Sequence, residues 1–166
     1  MTALRLHPMT DSDFAWLFVP DVRTDGLALC EGGIAPDEVT NMLRGIAAQP
    51  ATNTARPVAW MIIDQDWVIG MLSYTKQDEA GRYEIGYGLA PAYEGRGYAT
   101  AALALLLDDL TKMDICELFA ETSVDNPASQ RVLEKNGFVQ FGKREDAEDG
   151  GLICWAISLV ALKRTA

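Results

Sequence analysis

The chain has 166 residues, 49% of them hydrophobic and 23% charged, a size and balance that fit one globular domain, residues 1–166, with an ordinary buried core. Its formal charge of −10 argues against a nucleic-acid surface, which needs clustered Lys and Arg; acidity of this kind keeps a chain in solution and at most favours a cationic partner. No apolar run approaches the roughly 20 residues of a membrane span, and "MTALRLHPMTDSD" lacks the basic and apolar regions of a secretory leader, so the expected address is cytoplasmic.

In chain order, "ALRLHPM" alternates as a first strand, and Thr10 with Asp13 three residues later makes a capping-box pattern that opens the helix "SDFAWLFV". Residues 19–35 read as an irregular link. Pro36 at a first helical position starts "PDEVTNMLRGIAAQ", whose Val39, Met42, Leu43 and Ile46 form one stripe, and Pro50 ends it. Three strands follow, "PVAWMIID", "WVIGMLSYT" and "RYEIGYGLA", with connections tight enough to make them antiparallel neighbours. After the loop "APAYEGRGYAT" comes a helix from about Tyr98 to Leu110, then a strand "ICELFAET", a helix "PASQRVLEK" closed by Gly137, a strand "FVQFG", a charged turn "REDAEDGG" and a last strand "LICWAISLVAL". The order is β-α-α-β-β-β-α-β-α-β-β. The crossover from "RYEIGYGLA" through a helix to "ICELFAET" makes those strands parallel within a sheet that begins antiparallel, a mixed-sheet α/β (α+β) domain.

Cys30, Cys116 and Cys154 are odd in number, far apart and accompanied by one histidine, His7, so neither a disulfide framework nor a metal site is expected. Cys116 and Cys154 fall in strand patterns and read as core residues; His7 reads as structural.

The loop before the third helix carries the chemistry. The first turn of a helix leaves backbone N–H groups without intrahelical partners, and with the helix dipole these make a seat for an anion. Gly95 and Gly97 keep side chains away from that seat, Ala99 and Thr100 keep the next turn small, and Arg96 adds a charge suited to phosphate oxygens. The plainer reading is a glycine-rich turn with water on its amides. A P-loop is disfavoured because the stretch has no lysine. A dinucleotide fingerprint matches at two glycines, with Glu117 20 residues past Gly97, but Thr100 holds the third glycine's place and the preceding strands form a meander.

Taken together, "EIGYGLAPAYEGRGYATAAL" and "NPASQRVLEKNGF" resemble the GCN5-related N-acetyltransferase (GNAT) superfamily, in particular the branch of ribosomal-protein N-terminal acetyltransferases. The resemblance covers nearly the whole chain and implies a mixed sheet with helices on both faces. The family's loop pattern, Gln or Arg first, Gly fourth and Gly or Ala sixth, falls on Glu94, Gly95, Arg96, Gly97, Tyr98 and Ala99. It implies that these backbone amides, with Thr100 beyond them, hold the pyrophosphate of acetyl-CoA. Glu94 departs from the pattern, and its carboxylate is expected to point to solvent. The resemblance further implies that Leu89 and Ala90 offer backbone groups to the pantetheine arm, that Asn126 bonds the pantetheine region, and that Ser129 lies near the thiol as a proton donor. Asn126 and Ser129 also fit a plain helix cap and first turn. Leu133 stands where many members have a tyrosine acid, so the resemblance leaves the acid role to Ser129, to water or to no group.

Direct transfer to an amine needs a base for its proton. Along "RYEIGYGLA" the two-residue period puts Glu84 with Gly86, Gly88 and Ala90 on one face, and a carboxylate on that bare face makes Glu84 the candidate base; a solvated structural Glu84 is the alternative. The link 19–35 and the acidic turn with Glu145, Asp146, Glu148 and Asp149 are candidates to border the amine site, with Trp60 or Trp155 as an apolar wall. The resulting expectation is an acetyl-CoA-dependent N-acetyltransferase acting on a protein N-terminus, a lysine or a small-molecule amine, with no metal, nucleic-acid or membrane partner and no oligomeric state set by sequence. A non-catalytic acyl-CoA sensor and a dinucleotide-binding protein are the alternatives.

Overall fold

In the computed structural model, which describes residues 4–20, 23, 25–49, 57–77, 82–113 and 115–163, the chain divides into two units. The first comprises residues 1–75 and 86–102, the second residues 76–85 and 103–166.

The first unit starts with strand β1 (Arg5–Pro8) and helix α1 (Asp11–Phe18). The Asp13 carboxylate accepts the Thr10 N–H and hydroxyl, each at 2.8 Å, so the cap foreseen at Thr10 sets where the helix begins. The link is not wholly irregular. Ala28–Leu29 forms a short strand, β2, which pairs parallel with β4 at Ala28↔Trp67 and Leu29↔Val68. Helix α2 (Asp37–Ala47) begins one residue later than expected, because Pro36 keeps an extended ψ of 148° and serves as N-cap. Its buried face also differs. Thr40 and Leu43 are buried, Ile46 is half-buried, and Val39 and Met42 are exposed. Thr40 tolerates burial because its hydroxyl donates to the Pro36 carbonyl at 3.2 Å.

Strands β3 (Ala59–Asp64) and β4 (Trp67–Gln77) pair antiparallel, with a bulge at Ile62/Ile63. With β1 against β3, the strand order in this unit is β1-β3-β4-β5, and β2 lies beside β4. Met61, Ile63 and Val68 pack with Phe14, Trp16 and Leu43 from α1 and α2 in one apolar core that also takes in Ala90.

Strand β5 (Tyr83–Leu89) contributes its Gly86–Leu89 half here. An added Cβ at Gly70 would lie 2.5 Å from the Gly88 carbonyl oxygen and 2.6 Å from Leu89 Cδ2, and one at Gly86 would lie 3.2 Å from Ser73 Oγ. β5 therefore runs back along β4, and the two backbones meet where neither carries a side chain. The Ala90 N–H donates to the Ile69 carbonyl at 2.8 Å, ending β5 in a fixed place.

The second unit holds the rest of the sheet in the order β5-β6-β8-β7. β5 pairs parallel with β6 (Glu117–Ser123) at Tyr83↔Leu118 and Glu84↔Phe119, as the crossover predicts. Helix α3 (Tyr98–Thr111) leaves the first unit and buries Leu103, Leu106 and Leu110 in the second. Helix α4 (Pro127–Lys135) ends at Asn136, followed by Gly137 at φ +84°. β7 (Val139–Asp146) and β8 (Gly150–Ser158) extend further than the sequence pattern suggests, so the charged turn shrinks to residues 147–149. Arg144 explains this: its guanidinium binds both oxygens of Glu121 on β6 at 2.7 Å and Asp146 at 2.8 Å, which holds the charged stretch extended. A short helix α5 (Leu159–Lys163) replaces the end of the expected last strand. The sheet thus has eight strands of mixed direction, and among the described residues no helix is long and apolar enough to cross a membrane.

Gly70→Ala is expected to push β4 and β5 apart and destabilise the chain by about 2–3 kcal/mol, since a backbone carbonyl cannot rotate away as a side chain can. Urea unfolding of the variant checks this; an unchanged midpoint would contradict the close approach.

Candidate functional site

The loop after β5 begins with a single 3₁₀ turn, Pro91–Tyr93, in which the Tyr93 N–H donates to the Ala90 carbonyl at 2.9 Å. Gly95 and Gly97 take φ of +68° and +86°, a region side chains disfavour, and an added Cβ at either would meet nothing within 4 Å. The glycines are therefore needed for the path of the chain, and bare backbone faces open space. The first intrahelical bond of α3 runs from the Ala101 N–H to the Gly97 carbonyl at 3.0 Å, so the amides of Gly97, Tyr98 and Ala99 precede it. Glu94 is exposed. Arg96, also exposed, places its guanidinium 5.9 Å from the Tyr93 ring and 5.6 Å from the Tyr98 ring, and the Tyr98 hydroxyl donates to Asp64 Oδ2 at 2.7 Å. The expected residues 94–100 are thus contiguous, with Glu94–Gly97 exposed and Tyr98–Thr100 half-buried.

Leu89 and Ala90 immediately precede this loop. Ala90 is wholly buried, with its N–H given to Ile69 and its carbonyl accepting from Tyr93, so Ala90 is structural and has no N–H to offer a ligand. On the glycine face of β5, Gly86 and Gly88 are half-buried; a Cβ at Gly86 would sit 3.2 Å from Ser73 Oγ, and one at Gly88 an ordinary 3.5 Å from the Ile34 carbonyl oxygen.

In the second unit, Glu84 is half-buried and lies at the Glu84↔Phe119 position of the parallel ladder. Asn126 Oδ1 accepts the Ser129 N–H at 3.0 Å, so both join in capping α4; Asn126 is exposed and Ser129 half-buried. Leu133 is fully buried and takes part only in packing.

Trp60 and Trp155 supply no wall to an open site. Both are buried, Trp60 against Tyr74 and Trp155 with its Nε1–H given to Thr122 Oγ1 at 2.9 Å. Trp16 and Trp67 line a cavity of about 470 Å³ beside the link, together with Arg23 and Leu27. It lies at the link 19–35 and arises from β2 and from a charge network, neither of which is a local sequence signal. The Arg23 guanidinium lies 4.9 Å from the Trp16 ring, donates to Asp13 at 2.7 Å and grips Asp25 at 2.8–3.2 Å. Burial works to raise the Asp13 carboxyl, but bonds from Thr10 and Arg23 and the nearby His7 prevail and hold it below its ordinary 3.8; Arg23 holds Asp25 down at about 2. His7, on β1, lies 3.3 Å from Asp13 as a structural partner. Of the thiols, Cys30 and Cys154 are buried, and burial pushes both up, Cys154 further through the Glu121 charge. Cys116 is exposed and precedes β6, contrary to the expected core position.

A family model described as "Acetyltransferase (GNAT) domain" matches residues 3–139. The ribosomal-protein-serine acetyltransferase of Escherichia coli K12 is 32% identical over 91 residues, 54% of this chain and 51% of that protein. The putative ribosomal N-acetyltransferase YdaF of Bacillus subtilis is 36% identical over 84 residues, 46% of this chain and 43% of that protein. The matches thus span about half the length of these relatives. Among solved structures, the ribosomal L7/L12 α-N-protein acetyltransferase RimL in complex with coenzyme A shares the fold at a TM-score of 0.67, with 22% identity over 95% of each chain.

The network around Asp13 generates a pH dependence. Because both carboxyls titrate below their unfolded value of 3.8, their contribution is complete above that pH and is lost as pH falls towards about 2. Thermal stability is expected to drop over that window, and Asp13→Asn to start lower but lose less; equal acid slopes in a melting series would contradict it.

Proposed function

The chain belongs to the GNAT acetyltransferase family, and from that premise we propose that it transfers the acetyl group of acetyl-CoA directly to a primary amine, with residues 1–166 acting as one cytoplasmic domain. The family match runs through both units, which supports treating them as one catalytic domain.

The observation that carries the reading is the open glycine loop: positive φ at Gly95 and Gly97, bare backbone between them, and Arg96 alongside. The amides of Gly95–Thr100 hold the diphosphate and Arg96 adds its charge; exposed Glu94 turns to solvent. Acetyl-CoA, when bound, supplies an acyl group activated as a thioester. Leu89 provides the backbone partner for the pantetheine arm, since the Ala90 N–H is committed to Ile69. Asn126 Nδ2 adds a donor in the same role, its Oδ1 being spent on the cap. Glu84 takes one proton of the acceptor ammonium on a carboxylate oxygen; the amine nitrogen then bonds the thioester carbonyl carbon, and as the C–S bond breaks the Ser129 hydroxyl protonates the departing thiolate and is reprotonated by the second proton of that nitrogen. The raised thiols of Cys30 and Cys154 suit no covalent intermediate, which favours direct transfer. A ribosomal protein is the acceptor that the names of the relatives favour.

Acetyl-CoA at 100 times its dissociation constant should stabilise the protein by about 2.7 kcal/mol, and NAD should not. Thiol release across a panel of amines then separates a transferase from a carrier-binding sensor. Glu84→Gln is expected to lower turnover about 100-fold or more while leaving acetyl-CoA binding intact. Equal loss of both would remove Glu84 from the proton path.

A further inference from the structure

The glycine loop poses a problem of order. Gly95 and Gly97 carry more backbone freedom than any other residue, and nothing packs against their α-carbons. A loop left to wander would have to be ordered at each binding event, which costs affinity. On its entering side the loop is fixed by the buried Ala90–Ile69 bond. On its leaving side stands Tyr98, the first residue of α3, whose hydroxyl reaches 34 positions back to Asp64.

We propose, resting on the acetyl-CoA reading above, that Tyr98 and Asp64 are a positioning pair that sets the first turn of α3, and Arg96 with it, in the orientation that receives the carrier's diphosphate. Asp64 closes β3 and pairs across the hairpin with Trp67, so the anchor is a sheet position and not a mobile loop. The Tyr98 and Tyr93 rings meet edge-on at 5.6 Å, and the Arg96 guanidinium lies near both. Arg96 thereby spans from the turn before the glycines to the helix after them. Its Nη1 donates to the Ala92 carbonyl at 3.4 Å, which ties it to the turn, and its other N–H groups are suited to an anion. The hydrogen bond to Asp64 holds the Tyr98 phenol above its ordinary 10, so the hydroxyl remains a donor throughout neutral pH. The bond also shares the Asp64 charge.

The test is calorimetric titration of the full chain with coenzyme A, beside steady-state kinetics. Tyr98→Phe and Asp64→Ala should each weaken coenzyme A binding about five- to tenfold and raise the acetyl-CoA KM equally, with kcat at saturation and the acceptor KM unchanged. Asp64→Asn, which keeps an acceptor oxygen, should retain most of the affinity. The double variant Tyr98→Phe/Asp64→Ala should be no worse than either single one, because one contact is removed in each case. Variants that bind as the wild type does, or losses that add, would overturn the pair while leaving the functional reading standing. A wild-type chain that does not bind coenzyme A would overturn both.

Discussion

The contact on which the binding loop depends is the meeting of two backbones at Gly70 and Gly88. With a 2.5 Å clearance for a hypothetical Cβ, β4 and β5 can lie together only if Gly70 has no side chain. That approach lets Ala90 reach Ile69, and the bond between them fixes where β5 stops. Because the chain turns out of the sheet at a defined residue, the 3₁₀ turn and the glycine pair begin from a fixed origin. Burial of Ala90 in the core formed by Phe14, Leu43, Met61 and Ile63 makes the same point energetically: the apolar core of the first unit holds the root of the loop.

Charge is handled by a different device. The chain is strongly acidic, yet its main carboxylates are shared among a few arginines. Arg23 serves Asp13 and Asp25, and Arg144 serves Glu121 and Asp146. The first cluster shapes the link beside Trp16; the second keeps β7 extended next to β8. Asp146 also accepts the N–H groups of Glu148 and Asp149, closing the hairpin that the acidic composition had made look like a long solvated turn. Neither network is a plain surface ion pair, since Asp13 is buried and Glu121 is largely covered.

Most of the element order and the whole glycine loop were legible in the sequence, because strand alternation, caps and glycine spacing are local signals. What escaped had non-local causes. The buried face of α2 follows Thr40, whose hydroxyl is satisfied by Pro36, so the apolar stripe through Val39 and Met42 misleads. β2 exists because β5 ends at Ala90 and leaves the edge of β4 beside Trp67 and Val68 to a new partner. The glycines of β5 read as a bare face, but the tight approach is the one Gly70 of β4 makes to the Gly88 carbonyl, which no local pattern shows. Trp60 and Trp155 have the composition of a binding wall and the burial of core residues, a distinction no residue pattern carries.

The helix termini give the loop its electrical meaning. α1 has the reciprocal cap of Thr10 and Asp13, and α4 has Asn126 accepting from the Ser129 N–H. α2 lacks a side-chain cap but carries Asp37 and Glu38 in its first turn, which answer the positive end of the dipole. α3 has no acidic residue in its first turn, and Gly97 before it has no side chain to cap with. A missing cap typically costs about 1 kcal/mol. In a chain of net charge −10, the amino end of α3 thus carries Arg96 and bare glycine backbone, with no carboxylate in its first turn.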